Sequence, residues 1–192
     1  MQSNNDIWLL RHGETAWSLS GQHTGWTDIP LNPVGEDQAR ALGVAMANHP
    51  FAAVWVSPLQ RALKTCELAG YLEQSVKQDD LREWNYGQAE GRTAVDMRKE
   101  IPDWTIWTHG APGGELIDEV YLRAGRILAK ASEVPGDVAL FAHGHMLRLI
   151  AAHYLGLPPL DARLFALNTA TISVLGWENG RRVIRRWNQP TT

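Results

Sequence analysis

The sequence predicts an α/β fold, a three-layer α/β/α sandwich whose mostly parallel central sheet carries helices on both faces. Residues 7–10, 53–56 and 138–142 are continuous apolar runs, typical of strands buried on both faces. A helical spacing of apolar residues follows each run, after a loop in the first case. Strands that alternate with helices are typical of parallel sheets. The 192 residues suffice for a substantial core, so we expect a single domain over 1–192.

The first half of the chain gives two clear helix starts. Residues 18–32 predict a loop because Gly, Asp, Pro and Asn interrupt any periodicity. Asn32 then stands as an N-cap before Pro33 at the first helical position. Ser57, also followed by proline, predicts the same start for the helix after the second strand. The only cysteine, Cys66, lies in the apolar row of that helix, so we interpret it as a core residue.

The second half contains an insertion and three regular elements. Residues 79–86 predict a short strand or extended segment, and residues 87–114 a cap- or lid-like insertion with a short helix capped by Thr93. A helix over 115–133 and a helix ending at Gly156 enclose the third apolar strand. An Asn-Gly turn at 179–180 predicts a closing hairpin. The inner face of the 115–133 helix is predicted to contain Leu116, Val120, Ala124, Ile127 and Ala131.

Composition limits the function classes. The net charge of −3 argues against broad affinity for nucleic acid or anionic membranes. One cysteine excludes a disulfide within the chain and favours a reducing compartment. We find no signal peptide and no run of membrane-spanning length. We therefore expect a cytoplasmic protein, a monomer or homodimer, with neither nucleic acid nor membrane as partner.

Polar residues follow two of the buried strands. Arg11, His12 and Gly13 come directly after the first strand, and His143 follows the third. Since ligands collect beyond the carboxyl ends of parallel strands, we expect both imidazoles at one edge of the sheet. Arg61, in the first turn of another helix, adds a second guanidinium where backbone N–H groups also favour an anion. Two arginines and two histidines at one place predict a phosphate site.

These residue types suit phosphoryl transfer without a metal. Such a reaction requires charge stabilisation and an in-line nucleophile, and histidine can be that nucleophile. A general acid must protonate the leaving oxygen, and Glu83 is the best carboxylate candidate. His143 and His145 could instead form a metal pair. We favour no metal and no cofactor, because Arg11 and Arg61 would repel a cation.

Several short motifs are distributed along nearly the whole chain. They are Leu10-Arg11-His12-Gly13-Glu14-Thr15, Thr24-Gly25-Trp26-Thr27-Asp28, Ser57-Pro58-Leu59-Gln60-Arg61-Ala62, Glu83-Trp84-Asn85-Tyr86-Gly87 and Ala142-His143-Gly144. Through them the chain resembles the histidine phosphatase superfamily, the phosphoglycerate-mutase-like group. The resemblance implies that His12 becomes a phosphohistidine and that Glu83 is the proton donor. It also implies that Arg11, Arg61 and His143 hold the phosphoryl group.

Within that superfamily the chain looks most like the sedoheptulose-1,7-bisphosphatase-type sugar phosphatases. The similarity rests on residues 18–25, 80–84, 104–107 and 143–148. Two positions depart from the pattern: Ser18 replaces an asparagine common in the family, and His23 replaces a tyrosine common in the bisphosphatase group. The expected substrate-binding residues are Ser18, His23, Thr24, Gly25, Tyr86, Gly144, His145 and Arg148.

The resulting reading is a metal-independent phosphatase acting on a small phosphorylated metabolite, a sugar phosphate or bisphosphate, through a phosphohistidine. The alternative with the same site is a cofactor-dependent phosphoglycerate mutase. A non-catalytic binding module and a metal-dependent hydrolase are weaker alternatives. Two local questions stay open: whether Arg148 contacts a second phosphate or solvent, and whether Trp104 and Trp107 line the cleft or pack the loop.

Overall fold

The computed structural model describes residues 5–47 and 49–191 and contains a six-stranded sheet. Its strands are β1 (Ile7–Arg11), β2 (Ala53–Val56), β3 (Ser75–Lys77), β4 (Val138–Ala142), β5 (Ile172–Glu178) and β6 (Arg181–Gln189). Their order across the sheet is β3-β2-β4-β1-β5-β6. The first four are parallel, whereas β5 is antiparallel to β1 and β6 to β5. The predicted mostly parallel sheet is confirmed.

Seven α-helices occur in the described ranges. They are α1 (Ala16–Ser20), α2 (Pro33–Met46), α3 (Gln60–Leu68), α4 (Ala94–Arg98), α5 (Ile106–His109), α6 (Ile117–Ser132) and α7 (Gly144–Leu155). Short 3₁₀ turns cover Asp79–Leu81, Gly87–Ala89 and Pro159–Leu164. None of these helices is both long and apolar enough to cross a membrane.

Two separate cores lie on the two faces of the sheet. Leu9 of β1 packs in one core with residues of α6 and α7, whereas Leu10 packs in the other with residues of α2 and α3. Successive strand residues point to opposite faces, so helices cover both sides. Cys66 lies fully buried in the second core, where burial raises the pKa of its thiol to about 12. The three-layer prediction and the core assignment of Cys66 are therefore confirmed.

Most predicted capping interactions are present. The Asn32 side chain accepts a hydrogen bond from Gly35 N at 2.8 Å, and Thr93 forms a capping box with Asp96. Helix α7 ends at Gly156 in a left-handed conformation with φ of 72°. The hairpin turns at Asn179 and Gly180, whose φ angles of 49° and 75° suit the tight turn predicted from this pair.

Four predictions about local structure are wrong. The loop predicted over 18–32 begins inside α1, because Thr15 and Ser18 form a capping box that apolar periodicity does not reveal. Ser57 is not an N-cap; Leu59 holds that position without a side-chain cap. Of the two alternatives for residues 79–86, the strand is wrong: Asp79–Leu81 form a 3₁₀ turn, and the short β3 precedes them. Leu116 is 68% exposed because it is the N-cap of α6, one residue before the helix begins, and the first buried residue of that helix is Val120.

A close backbone contact joins the segment after β1 to the start of α2. A Cβ on Gly35 would lie 2.1 Å from the carbonyl oxygen of Glu14, and a Cβ on Gly13 would lie 2.2 Å from the carbonyl oxygen of Gly35. Both obstacles are backbone atoms, which cannot rotate away. The segment that carries His12 is therefore held against α2 by the absence of two side chains.

We expect Gly35→Ala to lower the free energy of unfolding by roughly 1–3 kcal/mol, as overpacking does in other cores. Urea denaturation followed by circular dichroism measures the change. Val44→Ala in the same helix, at a position 80% exposed, is the matched control and should stay within about 0.5 kcal/mol of wild type. A Gly35→Ala protein as stable as the control would contradict the close-contact argument.

Candidate active site

Three strand ends meet at one edge of the sheet. Because β4 lies between β1 and β2, the residues that follow these strands, His12, His143 and Ser57, become neighbours. The His12 N–H donates to the carbonyl of Ala142 at 3.0 Å, and the His12 and His143 ring centroids lie 5.2 Å apart. The predicted convergence of the two imidazoles is present.

Hydrogen bonds fix the tautomers of both rings. Nδ1 of His12 lies 2.7 Å from the carbonyl oxygen of Gly13, which can only accept, so Nδ1 carries the proton and Nε2 keeps its lone pair. Nδ1 of His143 lies 3.1 Å from Nε of Arg61, which can only donate. The ring proton of neutral His143 is therefore on Nε2, which donates to Ser57 Oγ at 2.7 Å.

The surroundings keep these imidazoles uncharged. Burial, followed by the charges of Arg61 and Arg11, places the pKa of His12 well below its usual value. Burial and Arg61 do the same to the pKa of His143, and burial and Arg148 lower that of His145. Near neutral pH His12 thus presents an unprotonated Nε2, the form that a nucleophile requires.

The two arginines are placed differently. Arg61 is fully buried and donates to His143 and to the carbonyl oxygens of Thr24, Gly25 and Thr27. Arg11 donates from Nη1 to the carbonyl of Leu167, but its buried Nε has no hydrogen-bond partner among residues 5–47 and 49–191. In the described part of the chain, no carboxylate forms an ion pair with either guanidinium. An unpaired donor on a buried cation indicates a place for an anion.

Glu83 lies at the N-terminus of α7 and is only 4% exposed. Its carboxylate oxygens accept three backbone hydrogen bonds, from Trp84 at 2.9 Å, His145 at 3.0 Å and Met146 at 2.9 Å. These donors fix the carboxyl group where it contributes to the same cavity wall as His12.

A cavity of about 190 Å³ opens over these groups. Its wall contains most of the predicted site residues: Arg11, His12, Ser18, His23, Thr24, Glu83, Tyr86, Gly144, His145 and Arg148. The other lining residues are Gly21, Gln22 and Leu167. Three predicted residues do not line it. Arg61 and His143 lie fully buried, linked to each other by their hydrogen bond, and Gly25 receives a hydrogen bond from Arg61.

Several lining side chains are already engaged with the protein. The Ser18 hydroxyl donates to the carbonyl of Thr15 within the α1 capping box. Nδ1 of His23 donates to the carbonyl of Arg92 at 2.8 Å, which leaves its Nε2 as an acceptor. The Tyr86 hydroxyl and Nδ1 of His145 form a short hydrogen bond of 2.5 Å.

The insertion at 87–114 packs against the body of the protein. Trp104 is buried and contacts the His23 ring edge-on at 5.1 Å, and Trp107 lies 4.7 Å from the His145 ring. Neither tryptophan lines the cavity; both support histidines that do. The packing interpretation of these two residues therefore describes the structure, and a lid role for the segment stays a prediction.

Ser57 is a further site residue, one that the motifs considered above do not predict. Its hydroxyl contacts His143 directly, whereas Ser57-Pro58 in the sequence predicts a helix cap. The signal was available, because Ser57 follows a buried parallel strand just as His12 and His143 do. Over residues 5–47 and 49–191, no group of three or more His, Cys, Asp or Glu side chains is arranged to hold a metal ion. The two-histidine metal pair thus lacks a third ligand of these types.

The lowered pKa values of the three site histidines make stability depend on pH. An unfolded chain protonates these imidazoles near 6.5, whereas the folded protein does so only at lower pH. The unfolded state therefore binds more protons, and the free energy of unfolding should fall as pH drops below about 6.5, by up to about 1.4 kcal/mol per pH unit for each imidazole.

Urea denaturation at a series of pH values between about 7 and 5 measures this slope. The His12→Asn variant, which removes one of the titrating groups, should show a shallower slope than wild type. Equal slopes in the two proteins would show that His12 is protonated equally in the folded and unfolded states.

Comparisons of the sequence and of the structure with known proteins agree on one family. The profile of the histidine phosphatase superfamily (branch 1) matches residues 7–190. An acid phosphatase of Mycobacterium tuberculosis is 40% identical over 183 residues, which cover 93% of this chain and 90% of that protein. The sedoheptulose 1,7-bisphosphatase of Saccharomyces cerevisiae is 37% identical over 78% of this chain and 67% of its own length. A solved structure of a Mycobacterium tuberculosis open reading frame product, 37% identical, superposes with a TM-score of 0.93 over 98% of this chain and 100% of that one.

Proposed function

Since the chain belongs to the histidine phosphatase superfamily and is a phosphatase of that family, we propose that it hydrolyses a small phosphorylated metabolite, a sugar phosphate or bisphosphate, through a phosphohistidine at His12. One observation carries the proposal. Arg11, Glu83 and His12, whose Nε2 keeps its lone pair, line the same small cavity.

In the first step, Nε2 of His12 attacks the phosphorus in line with the leaving oxygen. The new bond is N–P, the bond that breaks is P–O, and Glu83 gives its proton to the leaving alkoxide. Nδ1 keeps its proton and its hydrogen bond to Gly13, so phosphorylation does not require the ring to rotate. Arg11, which lines the cavity, offers its positive charge to the equatorial oxygens.

In the second step, water attacks the phosphohistidine. Glu83, now ionised, accepts the proton of that water, the N–P bond breaks, and inorganic phosphate leaves with His12 and Glu83 restored. His143 stays neutral: its Nδ1 accepts from Arg61, and its Nε2–H donates to Ser57 Oγ. Arg61 acts by fixing His143 and the 24–27 segment.

The substrate class rests on the names and identities of the relatives and on the size of the cavity. The yeast relative is named for a sugar bisphosphate and the mycobacterial relative for phosphatase activity. The cavity of about 190 Å³ is smaller than the roughly 300–1,000 Å³ typical of drug-sized ligands, which favours a short-chain metabolite.

The direct test is release of inorganic phosphate from a panel of phosphorylated sugars and glycerates in the presence of EDTA. We expect turnover that the chelator does not change. In parallel, 3-phosphoglycerate is supplied with and without 2,3-bisphosphoglycerate. Isomerisation that depends on the bisphosphate, without phosphate release, would replace hydrolysis by mutase chemistry, and loss of turnover in EDTA would contradict metal independence.

A further inference from the structure

Arg11 is held by far fewer contacts than Arg61, and those contacts come from a loop. Arg61 donates four hydrogen bonds, to one imidazole and three carbonyl oxygens. Within the described part of the chain, the Arg11 side chain makes a single hydrogen bond, from Nη1 to the carbonyl of Leu167. Residues 165–171, to which Leu167 belongs, form neither helix nor strand. The direction of the Arg11 guanidinium therefore depends on what fixes this loop.

The same loop also holds the segment that carries His12. Ala170 donates its backbone N–H to the carbonyl of His12 at 3.1 Å. Ala170 is in a left-handed conformation with φ of 49°, which residues with a Cβ adopt only at a cost. A strained residue of this kind persists only where the surrounding structure holds it in place. Loop 165–171 thus contacts both Arg11 and His12, and it requires an anchor outside itself.

The anchor is a β-bulge at the end of β6. The pairing of β5 with β6 shifts register there, so that Trp187 and Asn188 together face the single residue Ser173. Asn188 has a left-handed φ of 53°, and its backbone N–H donates to Ser173 Oγ at 2.9 Å. Bulges are frequent next to active sites, where the extra residue changes the direction of a side chain. Here the bulge directs two side chains to loop 165–171.

These two side chains bind the loop on either side of Leu167. Nε1 of Trp187 donates to the carbonyl of Ala166 at 2.6 Å, and Oδ1 of Asn188 accepts from the backbone N–H of Asn168 at 2.7 Å. The Asn168 N–H and the Leu167 carbonyl are the two ends of one planar peptide group, and in a trans peptide they point in opposite directions. Asn188 therefore holds one end of the peptide whose other end accepts from Arg11.

Taking the proposed phosphatase function as its basis, we propose that Asn188 is a positioning residue, which aims the Arg11 guanidinium at the phosphoryl group through the 167–168 peptide. Asn188 does not line the cavity, so it acts only through the loop. Without its acceptor oxygen the peptide is free to rotate, and the Leu167 carbonyl turns away from Arg11. A guanidinium out of position stabilises the charge on the equatorial oxygens less, and small displacements at a reacting centre lower rates strongly.

Two substitutions at Asn188 separate the acceptor oxygen from the backbone conformation. Asn188→Gly removes the acceptor and suits the left-handed φ, whereas Asn188→Asp keeps an acceptor oxygen and also tolerates that φ. For p-nitrophenyl phosphate we expect kcat/KM to fall about ten- to a hundredfold in Asn188→Gly and to stay within about threefold of wild type in Asn188→Asp. The matched control is Asn179→Gly, at an exposed asparagine with φ of 49° in the β5–β6 turn, which should keep wild-type activity.

A double-mutant cycle tests whether the effect passes through Arg11. In an Arg11→Gln background the guanidinium is absent, so adding Asn188→Gly should change kcat/KM by less than about twofold. Thermal melting checks that each variant is folded. Trp187→Phe, which removes the donor to Ala166 and keeps an aromatic ring, tests the same anchor if Asn188→Gly does not fold, and it should lower kcat/KM at least about threefold.

Three results would overturn the assignment of Asn188. They are wild-type activity in the folded anchor variant, a loss in Asn188→Asp as large as in Asn188→Gly, and an equal effect of Asn188→Gly in the wild-type and Arg11→Gln backgrounds. Absence of hydrolysis of p-nitrophenyl phosphate by wild type would instead overturn the phosphatase function itself.

Discussion

Replacement of His12 by alanine should lower kcat/KM for p-nitrophenyl phosphate by at least about 10⁴-fold, the order found when an enzyme loses its nucleophile. The reason is geometric. His143, the other imidazole at this edge of the sheet, accepts a hydrogen bond from Arg61 through the lone pair of Nδ1 and donates its Nε2 proton to Ser57. It therefore has no free lone pair for attack on phosphorus. Nε2 of His12 makes no hydrogen bond to any residue that the structure describes, since the ring proton lies on Nδ1.

The measurement is kcat/KM from the steady-state release of p-nitrophenolate by purified protein over a range of substrate concentrations. Thermal melting checks that the variant is folded. His109→Ala, at an exposed position on α5, is the matched histidine control and should retain wild-type activity. Retention of more than a tenth of wild-type activity by His12→Ala would show that another group attacks the phosphorus.

Glu83→Gln should have the second largest effect, and the size should depend on the leaving group. For an alkyl phosphate such as glycerol 3-phosphate we expect a loss of about 10²–10⁴-fold, because the alkoxide cannot leave without a proton. For p-nitrophenyl phosphate the loss of the acid should cost much less, since the phenolate leaves as an anion. The ratio of the two losses isolates the general-acid role of Glu83.

The same substitution also changes the start of α7. The amide of a glutamine can accept the backbone N–H groups on one side only, whereas the carboxylate accepts from Trp84, His145 and Met146. One N–H loses its acceptor, so we expect the unfolding free energy to fall by roughly 1–3 kcal/mol. Equal loss on both substrates would indicate that Glu83 positions α7 and does not donate the proton.

Much of the fold could be predicted because its signals are local. The apolar runs at 53–56 and 138–142 identify strands without knowledge of any distant residue, and Asn32-Pro33 identifies the start of α2. The convergence of His12 and His143 follows from one further rule, that parallel neighbours end at the same sheet edge. Their adjacency depends only on β4 lying beside β1.

The remaining details depend on contacts between loops that are far apart in sequence. No local pattern predicts that the carbonyls of 24–27 receive the Arg61 guanidinium, or that Ser57 bonds His143 instead of capping a helix. The exposure of Leu116 shows the same limit at smaller scale, because periodicity does not say where a buried helix face begins. The position of Arg148 in the wall of the active-site cavity, over the Trp107 ring, depends on such loop packing.

The most direct test of the central claim, that His12 is the nucleophile, is to trap the covalent intermediate. Wild-type protein is mixed with excess substrate, quenched in denaturing base within a single turnover, digested and examined by mass spectrometry. The account predicts a base-stable, acid-labile phosphoryl group on the peptide that contains His12, approaching about one per chain when the second step is slow. A phosphoryl group on a different residue, or a pre-steady-state burst of alcohol with no phosphorylated chain, would contradict it.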